Sequence, residues 1–177
     1  MDAAAIIGDV EIPLSTVQMS IDSVITERAE VDTSGMEFPT EEALVQSQAQ
    51  FHITVVLLDE LAKEFGIEIS KTDIDAEREY IVDQVGGEEN LNRALAGAVI
   101  AQEDFETYIV ASKIYERLGE ILLAQGIAQE EVPNAQQALL VKKAGELSVT
   151  VNPRYGVWDE STASLQSGGD SNGAVTD

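Results

Sequence analysis

The chain contains no cysteine. That excludes disulfides, thiolate metal ligands and a cysteine nucleophile. Histidine occurs once, at His52, and tryptophan once, at Trp158. Any nucleophile–histidine–acid arrangement would have to use His52, and no serine stands in a G-x-S-x-G turn. With one imidazole and no thiol, acid–base and covalent catalysis have almost nothing to draw on. His52 reads instead as a rim or surface residue of a helix. Basic residues are scarce: 10 Lys and Arg against 33 Asp and Glu give a formal charge of −23. A nucleic-acid partner needs a basic face and is excluded on this ground, as is docking on an anionic membrane. No stretch reaches the ~18 apolar residues of a membrane span, so direct insertion is not expected.

Ligand motifs are missing as well. A di-iron bundle wants Glu-x-x-His pairs, but Ala49 stands three residues before His52. Asp73, Asp75, Glu77 and Glu79 alternate, so on a helix they point in different directions. Gly86-Gly87 is followed by two glutamates and lacks the phosphate-loop pattern, so it reads as a helix break. The expectation is therefore a non-enzyme with no catalytic residue, no metal site and no cofactor.

Helix is what the chain has in quantity. Aromatics make up only 5 %, so Leu, Ile, Val and Ala must fill the core. A short strand hairpin over 4–12 turns at Gly8-Asp9, and Pro13 blocks further pairing. Ser15 is a candidate N-cap for a helix over 16–29, with Val17, Ile21, Val24 and Ile25 at helical spacing. Thr40 caps the longest helix, over 41–65. There Leu44, Phe51, Leu58 and Phe65 recur every seven residues, with Gln48, Val55 and Ala62 in the alternate seam positions. Gly66 ends it. Further helices are expected over about 72–83, 88–98, 102–124 and 135–147. The run VTVNPRYGVWD (149–159) then alternates like a strand. A lone strand leaves backbone groups unpaired, so it should pair with the N-terminal hairpin. The expected fold is mainly α: about six helices, and a small sheet made from the N-terminal hairpin and the C-terminal strand. Residues 1–160 form the domain, and 161–177, rich in Gly, Ser and Asp, a disordered tail.

Apolar and aromatic side chains remain as the functional material. Each has two readings, core packing or the wall of a groove for an extended apolar peptide. The groove reading selects Phe51, Val55, Leu58, Phe105, Tyr108, Tyr115 and Trp158 as peptide-binding residues. The acidity likewise has two readings, solubility in a salty habitat or attraction of basic partners.

Four segments together resemble the SurA N-terminal chaperone family. IIGDVEIPLSTVQ resembles its opening strand, turn, strand and helix. LLDELAKEFGIEISKTDIDAERE (57–79) is similar to its long helix with a following Gly-Ile link and acidic helix start. GGEENLNRALAGAVIAQEDFETYIVASKIYERL (86–118) resembles its Gly pair, short helix and Asp-Phe opening of a longer one. VTVNPRYGVWD resembles the closing segment of secreted actinobacterial members. The resemblance spans about 4–159. It implies an ATP-independent holdase for unfolded or newly exported polypeptides, located outside the cytoplasm in the cell envelope. It also implies a lipid anchor in the precursor, from a signal segment not present here. MDAAAIIGDVEI itself has neither a basic start nor a long apolar stretch and is no signal peptide. Between the last two helices stands only GIAQEEVPN, far shorter than the ~100 residues of a typical domain. No parvulin domain fits there, and no prolyl-isomerase activity is expected. The alternative function is a dedicated interaction module of the envelope with one partner. Terminal strands that close a fold also exchange between copies, so a strand-swapped homodimer is expected as a further state.

Overall fold

In the computed structural model, residues 2–168 are described. Strands β1 (Ala3–Ile7) and β2 (Val10–Pro13) pair antiparallel across the Gly8-Asp9 turn. Helix α1 (Leu14–Glu30) follows directly. It begins earlier than expected: extended Pro13 occupies the N-cap position and no side chain caps the helix, so Ser15 lies inside the first turn. Helix α2 (Glu41–Phe65) starts where Thr40 accepts a hydrogen bond from the Ala43 amide at 3.2 Å, with Glu41 and Glu42 at its positive end. It stops at Gly66, whose φ of +65° suits a residue without Cβ. Helix α3 (Lys71–Val85) opens on a reciprocal Ser70/Asp73 capping box, and α4 (Glu88–Ala98) follows the Gly pair. A 3₁₀ turn over Gln102–Asp104 leads into α5 (Phe105–Ala124), and α6 (Val132–Leu147) completes the helices.

Strand β3 (Val149–Val151) pairs antiparallel with β1, with Ala5 opposite Val151 and Ile7 opposite Val149. The sheet order is β2-β1-β3. The chain's two ends are thus joined by backbone pairing, as expected, around a mainly helical body. The Gly8 amide extends this seam by donating to the Leu147 carbonyl at 2.8 Å.

Two features of the C-terminal region differ from the expectation. VTVNPRYGVWD is not one strand. A 3₁₀ turn at Pro153–Tyr155 interrupts it, burying Tyr155, and β4 (Val157–Asp159) resumes beyond. Pro153 cannot donate to a ladder, which accounts for the break. Nor is the disordered tail from 161 onward upheld for its first residues: β5 (Ser164–Gln166) pairs antiparallel with β4, Trp158 opposite Leu165. Its polar composition concealed anchoring from elsewhere. The Gln50 side chain donates to the Ala163 carbonyl and accepts from the Leu165 amide, at 3.2 and 2.7 Å. Gly156 permits the close approach, since a Cβ there would stand 2.5 Å from the Gln166 carbonyl oxygen. Residues 169–177 of the expected tail lie outside the described residues.

Helix α2 is the central element, packed against α1, α5, α6 and the sheet. Its Ile53, Leu57, Leu58 and Leu61 are buried with Val17, Val24 and Leu118. A second, smaller cluster holds Leu91, Leu95, Phe105 and Ile109, with half-buried Ile74, Ile81 and Val82 against it. Helix α3 has no buried residue and leans on α4 and α5 as an outer arm.

Candidate functional site

One turn of α2 projects Ser47, Gln48 and Phe51 toward the end of α4. There the backbone reverses at Val99, with φ at +60°. A β-branched residue in this region costs roughly 1–2 kcal/mol, and such strain persists only where the surroundings enforce it. Here the enforcement is visible. The Val99 and Ile100 amides turn back onto the Ala96 and Leu95 carbonyls, and the buried Gln48 side chain donates to the Val99 carbonyl at 3.0 Å. The segment 98–101 then forms one wall of a cleft of about 290 Å³, open to solvent. Phe51 and Tyr108 supply aromatic walls, and Asp104, from the 3₁₀ turn, the one charged group.

Behind Asp104 lies a buried polar relay. The Ser20 hydroxyl on α1 stands 2.8 Å from His52 Nε2 and donates to Asp104 Oδ2 at 2.5 Å. The Asp104 carboxylate and the Thr16 carbonyl, at 3.3 Å, only accept; the much shorter contact to Asp104 takes the single hydroxyl proton, and Ser20 accepts from a proton on His52 Nε2. The order is His52 to Ser20 to Asp104, with His52 and Asp104 themselves 3.7 Å apart. This is not the geometry of a hydrolytic triad, in which the acid orients the histidine. Ser20 is also only 1 % exposed, out of reach of a substrate. Burial holds the His52 imidazole below its ordinary range, against a smaller upward pull from Asp104. His52 is therefore buried in the relay rather than at the surface, in contrast to the sequence reading.

A buried carboxylate also ties the 3₁₀ turn to α1. Glu27 Oε1 accepts from the Gln102 amide at 2.8 Å and from the Ser23 hydroxyl. Beside it, the Arg28 guanidinium lies over the Phe38 ring, 4.1 Å from its centre, and burial lowers its pKa.

The seven side chains selected from the sequence do not share one groove. Phe51 and Tyr108 meet in the cleft. Val55 lines a separate recess of about 230 Å³ with Asp59 and Val110. Leu58 is part of the main core, and Phe105 is buried in the second cluster. Tyr115 is exposed farther along α5, and Trp158 lies half-buried against the main core. The residues that sequence reasoning missed are the polar ones, Ser20, Gln48 and Asp104, together with the strained Val99. Gln48 did carry a signal, as a polar residue in an apolar heptad seam. Such a position demands a buried partner.

No helix among the described residues is long and apolar enough to cross a membrane. Comparison of the chain with protein-family models, curated proteins and solved structures finds no match.

Proposed function

We propose that this chain is a holdase-type chaperone domain of the cell envelope, which binds unfolded or newly exported polypeptide without nucleotide. The observation that carries this reading is the open cleft between α2 and the α4–α5 connection, with its aromatic walls from Phe51 and Tyr108. Such a concave, mostly apolar surface with a few fixed polar groups is how proteins receive peptide side chains. Exposed Met19, Ile25, Tyr80 and Val157 add scattered apolar contact area. Net charge keeps complexes with aggregating clients soluble. The test is suppression of aggregation of several unfolded clients at equimolar amounts. Protection that weakens in a Phe51→Ala/Tyr108→Ala variant of unchanged melting temperature supports the proposal; no protection by the parent chain refutes it.

The dedicated interaction module is favoured by one observation. At about 290 Å³ the cleft sits at the lower edge of ligand-pocket sizes, roughly 300–1,000 Å³, and receives one side chain rather than a long apolar stretch. A pull-down that returns one stoichiometric partner selects this second reading; a range of unfolded chains selects the first. The β1–β3 seam is also the joint at which two copies would exchange strands in the swapped dimer expected from the termini. Light scattering across a range of concentrations reads that state.

A further inference from the structure

Apart from the Tyr108 hydroxyl, which can donate as well as accept, the side-chain hydrogen-bonding capacity left over in the cleft is that of acceptors. Both amide protons of Gln48 are engaged, one by the Val99 carbonyl at 3.0 Å and one by the Ser47 hydroxyl at 3.3 Å. What Gln48 has left is its carbonyl oxygen, on a side chain that is 97 % removed from solvent contact, at 3 % exposure. The Ser47 hydroxyl spends its proton on the Leu44 carbonyl at 2.8 Å. Asp104 receives Ser20 on Oδ2 and has no Lys or Arg within ion-pairing distance among the described residues; its only basic neighbour is His52. With the imidazole held below its ordinary range by burial, the relay puts no positive charge against this carboxylate at neutral pH. The opposite wall is the C-terminal end of α4 and its continuation, where helix dipoles place partial negative charge. The N-terminal end of α5, at Asp104, offsets part of this negative potential, but the one charged side chain of the lining is a carboxylate, so an occupant that donates hydrogen bonds and carries a positive charge suits the cleft best. Phe51 and Tyr108 add ring faces that attract cations and an apolar passage for the stem that carries one.

We propose that the cleft is an arginine-anchor site, in which a guanidinium from a basic, extended polypeptide segment reaches Asp104 and Gln48 between the Phe51 and Tyr108 side chains. Arginine fits better than lysine because its flat fork serves several acceptors at once and lies against aromatic faces. The −23 charge of the chain draws such segments in from a distance and repels acidic ones. The inference rests on the peptide-binding reading above and sharpens it: one basic side chain, rather than a general apolar stretch, makes the specific contact.

The experiment uses dye-labelled nonapeptides of Ala, Val and Gly with a central Arg, citrulline or Leu. Citrulline keeps the shape of arginine without its charge. Binding to the full chain is read by fluorescence anisotropy at about 50 mM salt. The parent chain is compared with Asp104→Asn and with Ala98→Phe. Ala98 is exposed on the cleft wall, so the larger ring obstructs the opening while the net charge is unchanged. The Ala98→Phe variant thereby separates binding in the cleft from non-specific attraction to an acidic surface. The Arg peptide is expected to bind about tenfold more tightly than the citrulline peptide, as charge-assisted hydrogen bonds require. Ala98→Phe and Asp104→Asn should each remove that margin, and thermal melts check their folding. If Asp104→Asn does not fold, the Arg-to-citrulline ratio in the parent and in Ala98→Phe decides alone. Equal binding of all three peptides, blocked by Ala98→Phe, overturns the arginine anchor and leaves the peptide-binding reading standing. An Arg preference that survives Ala98→Phe overturns it too. No binding of any peptide, together with no protection of unfolded clients, removes both.

Discussion

Asn152 reaches back to the first strand: its backbone amide donates to the Ala4 carbonyl at 2.8 Å, and its side-chain amide to the Ala3 carbonyl at 3.2 Å. These bonds extend the β1–β3 ladder past its last strand pair, Ala5 with Val151. The side chain also accepts from the Arg154 amide and so shapes the turn that follows. One residue thus ties the first strand to the point where the last segment changes direction.

Asn152→Ala removes the side-chain bonds and leaves the backbone bond to Ala4. Ala3 is buried, so its carbonyl loses a partner where water is scarce. A net hydrogen bond contributes about 1 kcal/mol, and a buried group left unpaired costs about 1–3 kcal/mol. The expected loss is about 1–2 kcal/mol in urea unfolding, with an unchanged denaturant slope. A variant as stable as the parent would show that the seam is held by the strand ladder alone.

The His52 relay predicts how stability changes with pH. Burial lowers the folded-state pKa of His52 below that of the unfolded chain, about 6.5. The unfolded state then binds more protons than the folded one, and stability rises with pH wherever that holds. The contribution is complete above about pH 6.5 and is lost as pH falls through the lowered folded value. Paired carboxylates such as Asp73 and Glu88, whose pKa values are lowered by Ser70 and Arg78, lose stability only at more acidic pH. His52 is the chain's sole histidine; the Asp59 carboxyl, which burial pushes up, acts with the opposite sign, so the histidine's share of the slope between about pH 7 and 5.5 is read by comparison with His52→Gln. Thermal melts across that range should show a falling melting temperature for the parent chain and a flatter profile for His52→Gln.

Salt should stabilise this protein. Lys63, Lys71, Arg78, Lys113, Arg117, Lys142 and Lys143 are all in ion pairs. Most are exposed on at least one side, and such pairs contribute only about 0–1 kcal/mol each. Screening them loses little. The excess of carboxylates over cations leaves a charge of −23, and its self-repulsion opposes the compact state. At 1 M NaCl the screening length falls to about 3 Å, which removes more repulsion than attraction. The melting temperature should climb between low and molar NaCl; a flat or falling curve contradicts this balance.

How far these features were legible follows from their sequence range. Helix α2 declared itself through its seven-residue apolar repeat, with Thr40 and Gly66 as its bounds, because those signals are local. The β1–β3 pairing was legible by elimination, as two β-prone ends with no other partner. Ser20 and Glu27 were legible in principle. They interrupt the stripe Val17, Ile21, Val24 on α1, where a polar side chain must find a buried partner. Which partner it finds could not be read. Asp104 lies 84 residues from Ser20 in a run of acids that reads as solvated surface. The cleft depends on the left-handed Val99, a conformation that a β-branched residue does not advertise. The groove expected over seven residues failed to assemble because the seven side chains lie on different faces of α2, α5 and the C-terminal segment. Leu58 is in the core and Tyr115 in solvent.

The β4–β5 hairpin offers the most direct test of structure against composition. By composition, residues 161–168 belong with a solvated tail. In the fold, Ala163 is buried and Leu165 packs against the main core. Their backbone is gripped from two helices, by Gln50 on α2 and by Gln137, which donates to the Thr162 carbonyl at 2.7 Å. Ending the chain after Glu160 removes all three bonds and uncovers apolar surface beside Leu57 and Leu140, which line the same recess. Hydrogen bonds of about 1 kcal/mol each, offset by the ordering entropy of the residues deleted, together with Leu165 burial put the net loss at about 2–4 kcal/mol. The comparison chain ends after Gly168, keeps the hairpin and is measured by the same urea titration. Equal stability of the two truncated chains would mean that the hairpin is decoration. A gap of the expected size, with a single cooperative transition retained in both, would make it part of the domain and move the domain boundary from 160 to at least Gln166.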